Sequence, residues 1–484
     1  MRQSSWPLLL GTMLGAFMAI AGINATSAAV GLVQSQFAVT PQQLSLLVSV
    51  YVLAEIISMP LLPLLNKRWG HQTISVLAIA GFILASAICG LAGSYEVLLL
   101  GRLLQGACGG LLIPLVHLTI RAELQLAQHW LGMGLFSLFA GIAPLVGPLY
   151  TGLLGESQLS WLFWVNIPLG LLALVMIQSH AISPRAHQSP PIHLAGLLPF
   201  VLLILGLTGC VFLLEFGAEY GWWHSGFVRV LSAASLLLLA LGLLSSLQTD
   251  TPWINFRVMR EPGCALVMSA SFIVGVVVYA LIYVIPLYLV LLHQYSPQQI
   301  VTVVLMTAIP QLLFAPWLVS FHQKFNPFLL FFIGAMLAAL SCLLLIQLTP
   351  WHEAGAFWSS QLLRAFAIPL LVIPLGVLSL RLGKAEDASD IAMLFNLLRT
   401  LGGAVGISAM VAMLQHFEAV SLMQNWAHWP KRVQPSSVSH YLEQHHGLIE
   451  AKVAMASYQS FSWLFLIISF MLMATGLVAL LKRQ

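Results

Sequence analysis

Residues 97–121 read VLLLGRLLQGACGGLLIPLVHLTIR, a stretch whose formal charges are confined to Arg102 and Arg121. At about 1.5 Å per residue a helix of this length spans the roughly 30 Å hydrocarbon core of a bilayer. Nothing in it alternates apolar with polar residues, as a barrel strand would. A helix this long and this apolar has lipid as its solvent, and the rest of the chain repeats the pattern. Cutting at charged and Pro/Gly-rich breaks gives fourteen apolar segments, approximately 7–31, 44–65, 72–93, 97–119, 130–154, 161–181, 192–214, 227–248, 264–291, 300–320, 327–348, 356–380, 390–415 and 458–481. The expected fold class is all-α, a polytopic membrane protein with fourteen spans.

Composition excludes the other classes. Of 484 residues, 60% are hydrophobic and 7% carry a formal charge, 19 Lys and Arg against 15 Asp and Glu, with a mean hydropathy of +0.94. A soluble chain carries about 25% charged residues, enough to cover a water-exposed surface. The basic residues are scattered singly, so the net charge of +4 implies no nucleic-acid partner. Cys89, Cys108, Cys210, Cys264 and Cys342 each sit alone in an apolar run, with no Cys-x-x-Cys, and read as small core residues. No Walker motif, metal-spaced His/Cys set or nucleophile–base pair is present, so neither an enzyme, a metal site nor a cofactor is expected.

The basic residues also set the expected orientation. With the N-terminus inside, Arg2, Lys67, Arg68, Arg121, Arg185, Arg257, Arg260, Lys324, Arg381, Lys384, Lys482 and Arg483 fall on the inner side. Arg229, Lys431, Arg432 and Lys452 fall outside, the last three in one long loop whose charges weigh little. Both termini are therefore expected in the cytoplasm. The first segment follows Arg2 as a signal peptide would. Its apolar run of about 25 residues is too long for an h-region of 7–15, so it reads as a retained span.

Comparing the chain with itself exposes a repeat. Residues 113–121, IPLVHLTIR, match residues 373–381, IPLGVLSLR, and Ser160-Trp161-Leu162-Phe163 recurs as Ser462-Trp463-Leu464-Phe465. The match sets spans 1–6 against spans 9–14 and leaves 7 and 8 between them. The expected organisation is a six-helix bundle over 1–185, a two-helix linker over 186–260, and a second six-helix bundle over 261–484 with an outer loop at 416–457. Two parallel halves related by an axis along the membrane normal form a transporter architecture, with a small-molecule site at mid-membrane and alternating access by rocking of the halves.

Four stretches carry a family resemblance. Span 4 holds Gly101-Arg102-Leu103-Leu104-Gln105-Gly106, and span 6 opens with Trp161-Leu162-Phe163-Trp164-Val165-Asn166-Ile167-Pro168-Leu169-Gly170. Span 13 holds Leu394-Phe395-Asn396-Leu397-Leu398-Arg399-Thr400-Leu401-Gly402-Gly403, and span 5 spaces Gly134, Gly147, Pro148 and Gly152. Together they resemble the fourteen-helix drug:proton antiporters of the major facilitator superfamily, the EmrB/QacA type, over nearly the whole chain. The resemblance implies proton-coupled export of a drug or metabolite across the inner membrane. Some relatives work with a periplasmic adaptor, so a partner at the outer loop is implied by analogy. The departures are specific. Related exporters carry an acid midway along span 1, where this chain aligns Gly22; the loop between spans 2 and 3 has Pro63 for a glycine and Lys67 for an acid; Ala143 and Thr151 replace glycines of span 5.

A charge mid-bilayer costs about 2.5–3.5 kcal/mol on insertion scales, so it is kept for function or tied to a partner. Glu55, Arg102, Arg364 and Arg399 lie well inside spans. Glu55 shares a helical stripe with Tyr51 and Ser58, expected to face a cavity. It is the candidate replacement for the missing acid of span 1, and the competing reading is a fixed ion-pair partner. Arg102, Gln105 and Gly109 share one face, and Asn396, Arg399 and Gly403 repeat that geometry. The resemblance implies that Arg102 organises the proton relay; a bland reading has it snorkel to the interface. Asn24, Tyr51, Ser58, Gln105, Arg364, Asn396 and Arg399 are the expected cavity residues, and several arginines against one acid favour anionic or neutral polar substrates. Gly134, Gly147, Pro148 and Gly152 are the candidate hinge, with plain packing as the other reading. His117 reads more readily as a packing residue than as a proton carrier. An uncoupled facilitator and a non-transporting membrane scaffold or sensor are the remaining alternatives.

Overall fold

The computed structural model describes residues 5–28, 30–39, 41–143, 159–179, 194–217, 220–250, 252–293, 325–346 and 354–427, with parts of 299–313. The described residues are helical throughout, joined by short turns. They form α1 (Trp6–Ala28), α2 (Val30–Phe37), α3 (Pro41–Ser58), α4 (Leu62–Gly90), α5 (Tyr95–Glu123), α6 (His129–Ile142), α7 (Ser160–Trp164), α8 (Asn166–Gln178), α9 (Leu197–Phe216), α10 (Gly226–Gln248), α11 (Pro262–His293), α12 (Pro327–Ile346), α13 (Trp358–Arg381) and α14 (Ala388–Ala427). Among the described residues nine helices are long and apolar enough to cross a membrane. In lipid every backbone donor and acceptor must be met internally, which a continuous helix does.

Local chemistry sets the ends. Proline opens α3, α11 and α12 at Pro41, Pro262 and Pro327, where its missing N–H costs nothing and its fixed φ suits the first turn. Ser94 caps α5, its hydroxyl accepting from the Val97 N–H at 3.4 Å. Inside α4 the chain breaks at Gly70, whose φ of +76° belongs to glycine, so the expected turn between spans 2 and 3 is a single non-helical residue. In span 6, α7 and α8 meet at Val165, whose φ of −58° and ψ of −30° stay helical, so the two run on as one span over Ser160–Gln178. In the other direction α14 runs on to Ala427, into the first residues of the stretch read as an outer loop. The remainder of that loop and span 14 lie outside the described residues.

Two groups of helices dominate the packing. α1, α4, α5 and α8 pack on one another with α3 against α5, while α11 packs on α14 and α12 on α13. α9 and α10 pair with each other at the periphery, where 22% of each apolar window is buried against 72% for α5. Their exposed leucines and valines, Leu198, Leu205, Val230 and Leu236 among them, form a face suited to lipid. The cores of the two groups merge: Leu370, Ile373, Val377 and Leu380 of α13 pack with Ile113, Met133 and Phe136, and Leu115 and Leu118 of α5 pack with the core of α11–α14.

Candidate functional site

The polar residues buried in the first group gather where α3 crosses α5. α5 carries Gly106, Gly109 and Gly110 on the side facing α3. A Cβ at Gly106 would overlap the Tyr51 carbonyl, and one at Gly110 the Glu55 carbonyl and the Ser58 hydroxyl. The two backbones are thus in contact, and the Tyr51–Glu55–Ser58 stripe faces α5 instead of an open cavity. Tyr51 donates its hydroxyl to the Ala19 carbonyl at 2.8 Å, and its ring lies 4.1 Å from the guanidinium carbon of Arg102. Arg102 is fully buried, so it does not snorkel; it donates from Nη1 to Oε1 of Gln105 at 3.0 Å. Gln105 in turn donates to the Ser86 hydroxyl of α4 at 2.7 Å. Gly22 of α1 lies beside the same groups, and a Cβ there would sit 3.8 Å from Arg102 Nη1 and 3.6 Å from the Tyr51 hydroxyl. The position where related exporters keep an acid therefore faces Arg102.

Glu55 is 1% exposed and its Oε2 has no hydrogen-bond partner among the described residues. The charges of both Arg102 and Arg399 act on its carboxyl, though neither closes an ion pair with it. Nε and Nη2 of Arg102 and Nε of Arg399 are also buried without an acceptor among the described residues. Such groups cost about 1–3 kcal/mol each when left unmet, and more when charged, so these atoms lower the stability of the packing around them.

The second group builds a related device. Arg364 of α13 donates to Oε1 of Gln361, three residues earlier, and to the Thr307 hydroxyl at 3.3 Å; Thr307 also donates to Gln361 at 2.6 Å. An Arg–Gln pair three residues apart thus sits on α5 and on α13 alike. On α14, Arg399 donates to Oδ1 of Asn396 at 3.0 Å. The Asn396 amide nitrogen lies 2.8 Å from the Ala392 carbonyl and 3.2 Å from Nδ1 of His117 on α5. His117 is fully buried between Phe136 and Phe395, each ring centroid 5.2 Å away. The Tyr279 hydroxyl of α11 lies within the fields of Arg399 and Glu55, and its ring packs against Gly403.

One end of the bundle is fastened between the groups. Arg121, the last basic residue of α5, donates to the carbonyls of Leu382, Gly383 and Lys384 at 2.7, 2.9 and 2.9 Å, at the C-terminal end of α13. A cation at a helix C-terminus also meets the negative end of the helix dipole. Lys67 of α4 lies 4.0 Å from the buried Asp390 of α14. Asp390 and Asp387 accept from the backbone and side-chain nitrogens of Asn255 at 2.8 and 2.9 Å. Gly376 of α13 receives the methyl end of Met133 from α6.

Other expected site residues fall elsewhere. Gly134 is buried in α6; Gly147, Pro148 and Gly152 lie outside the described residues, and Asn24 is in α1 with its side chain outside them. Sequence reasoning missed Ser86, Thr307, Gln361, Tyr279 and Asp390. Gln361 was open to discovery by its spacing to Arg364. Asp390, at the edge of span 13, is buried with Lys67 and Asn255 as partners, and no local pattern in the sequence records either of them.

Comparison with known proteins gives the arrangement its context. The chain is 25% identical over 426 residues to the colistin resistance protein EmrB of Acinetobacter baumannii, covering 87% of this chain and 82% of that protein. It is 25% identical over 435 residues to the multidrug export protein EmrB of Haemophilus influenzae, with the same coverage. Its fold is similar to that of the human organic anion transporter MFSD10, with a TM-score of 0.64 at 15% identity over 97% of this chain and 99% of that one. The sequence profile of the Major Facilitator Superfamily matches residues 12–407, and with that match the chain belongs to this superfamily of membrane transporters.

Proposed function

We propose that the protein is a secondary active transporter that exports a small organic compound across the inner membrane in exchange for protons, with Glu55 as the protonatable group. The observation that carries this reading is the Glu55 carboxyl, buried with an unmet oxygen in the fields of one arginine from each group of helices. A neutral carboxyl is tolerable in an apolar wall and a carboxylate is tolerable beside a guanidinium, so this position supports either state as the surroundings move. Arg102, fixed by Tyr51 and Gln105, keeps a positive charge near Glu55. Arg399 brings a second one from the opposite group, so relative motion of the groups alters the field at the carboxyl. Similarity to proteins named for multidrug export and colistin resistance supports export as the direction. In this reading the chain has fourteen spans in two six-helix halves, 1–185 and 261–484, around a linker at 186–260. The termini are cytoplasmic, and the Arg121 end is the inner face. An adaptor would meet the outer stretch 416–457.

The test is substrate-driven proton movement in vesicles containing the purified protein. Glu55→Gln is expected to abolish it while leaving folded protein at wild-type amounts; wild-type coupling in that variant removes Glu55 from the mechanism. A second reading, facilitation without protons, is favoured by one observation, the absence of a carboxylate at Gly22 beside Arg102. Flux indifferent to an imposed proton gradient is its expected signature.

A further inference from the structure

The polarity of the Asn396 amide is fixed by its neighbours. Arg399 only donates and the Ala392 carbonyl only accepts, so Oδ1 faces the arginine and the NH2 faces the carbonyl. The second hydrogen of that NH2 points at Nδ1 of His117, 3.2 Å away. With this assignment Nδ1 presents its lone pair and the ring proton sits on Nε2, buried without a partner among the described residues, and this hydrogen bond between α5 and α14 exists only while Nδ1 carries no proton. The Ile113 carbonyl, one turn back on α5, already lies beside the ring in this arrangement and is the acceptor that a protonated Nδ1 would use. A proton on Nδ1 would turn the nitrogen from acceptor to donor, and from a bond across the two groups to one within its own helix.

We propose that His117 is a positioning residue that makes closure of the Arg121 end conditional on loss of a proton, a role resting on the proton-driven export proposed above. Its location suits the task. Arg121 is one turn further along α5, and His117, Arg121, Ser379 and Ala392 border one closely packed spot with no room for a water molecule. The ring is covered while Arg121 holds the carbonyls of Leu382–Lys384, and separation of α14 from α5 at that end would take Phe395 and Asn396 off it. The groups around it are Arg399 and Asn396 from α14, Phe136 from α6, Ser379 from α13 and Arg121 from α5; among the described residues no carboxylate faces it. A proton carried inward must leave His117 before the amide of Asn396 can dock again. This check prevents the transporter from returning outward with its proton still aboard. Arg399 follows Asn396, so the same step resets the field at Glu55.

The distance across the closed end reads this directly. Nitroxide labels at Arg68→Cys and Glu386→Cys, on a background without the five native cysteines, bracket the Lys67–Asp390 contact. Double electron–electron resonance on the full chain in lipid nanodiscs is expected to show the open population rising as pH falls from about 8 to 5, the range in which histidine titrates. In His117→Gln, whose side-chain oxygen accepts from Asn396 at every pH, that rise is lost, although Lys67, Asp390, His71 and Glu123 remain. Asn396→Leu, which removes the amide, is also expected to lose it. A merely structural histidine would lower stability in these variants and leave the pH profile in place. An unchanged profile in His117→Gln, or a wild-type distance indifferent to pH, overturns the proposal. The Glu55→Gln vesicle assay stands apart: coupled proton movement there, with the gate response of His117→Gln lost, faults the assignment of Glu55 and leaves the switch standing.

Discussion

Single residues decide where charge is held. Gly22 is the sharpest case, since a Cβ at that point would be in ordinary van der Waals contact with Arg102, Tyr51 and Phe82. Gly22→Asp is expected to pair with Arg102, and the double variant Gly22→Asp/Glu55→Gln should regain part of the proton movement lost in Glu55→Gln alone. Vesicle acidification measured side by side checks this; no recovery in a well-folded double variant means the acid must be on α3. The Arg102–Gln105 pair was legible in the sequence because helical periodicity brings i and i+3 together. So was the isolation of Glu55, since few charges occur in any span. The link from Arg399 through Asn396 to His117 was not legible. Its partners are 279 positions apart on helices from different groups, and no local periodicity records which faces meet.

At the scale of elements, the contact of α3 with α5 depends on missing side chains. Gly110→Ala sets a methyl against the Glu55 carbonyl, where backbone and not a flexible tip must yield. Overpacking of this kind typically costs about 1–3 kcal/mol, so the melting temperature in detergent should fall clearly. Gly93→Ala, with nothing within 4 Å, should leave it near the wild-type value. The glycines were visible in the sequence as permission for close approach, but not the element they approach. Helix existence was legible throughout the described spans, because runs of twenty apolar residues leave the backbone no other way to satisfy itself in lipid. Boundaries were less so: Gly70 interrupts α4 through its φ, and α14 outlasts its apolar run to reach Ala427.

For the whole molecule, the proposed alternation between open and closed forms would work against a few polar contacts at one end and the apolar core shared by the two groups. Arg121→Ala removes three charge-assisted hydrogen bonds. Even one of about 1.5 kcal/mol would raise the ratio of open to closed molecules about tenfold. The spin-label pair at positions 68 and 386 checks it at neutral pH, and an unaltered distance distribution would mean that the merged apolar cores hold the end shut alone. The class was legible from the apolar runs and the scarcity of charge, but Arg121 counted in the sequence only as one more basic residue expected on the inner side. Its partners explain why. Arg121 grips carbonyl oxygens, which every amino acid supplies, so the positions it holds are free to drift in sequence without loosening it, apart from Gly383 with its φ of +63°. A fastening of this kind leaves no paired substitutions behind it: the history of residues 382 and 384 can be rewritten while the lock they belong to stays the same.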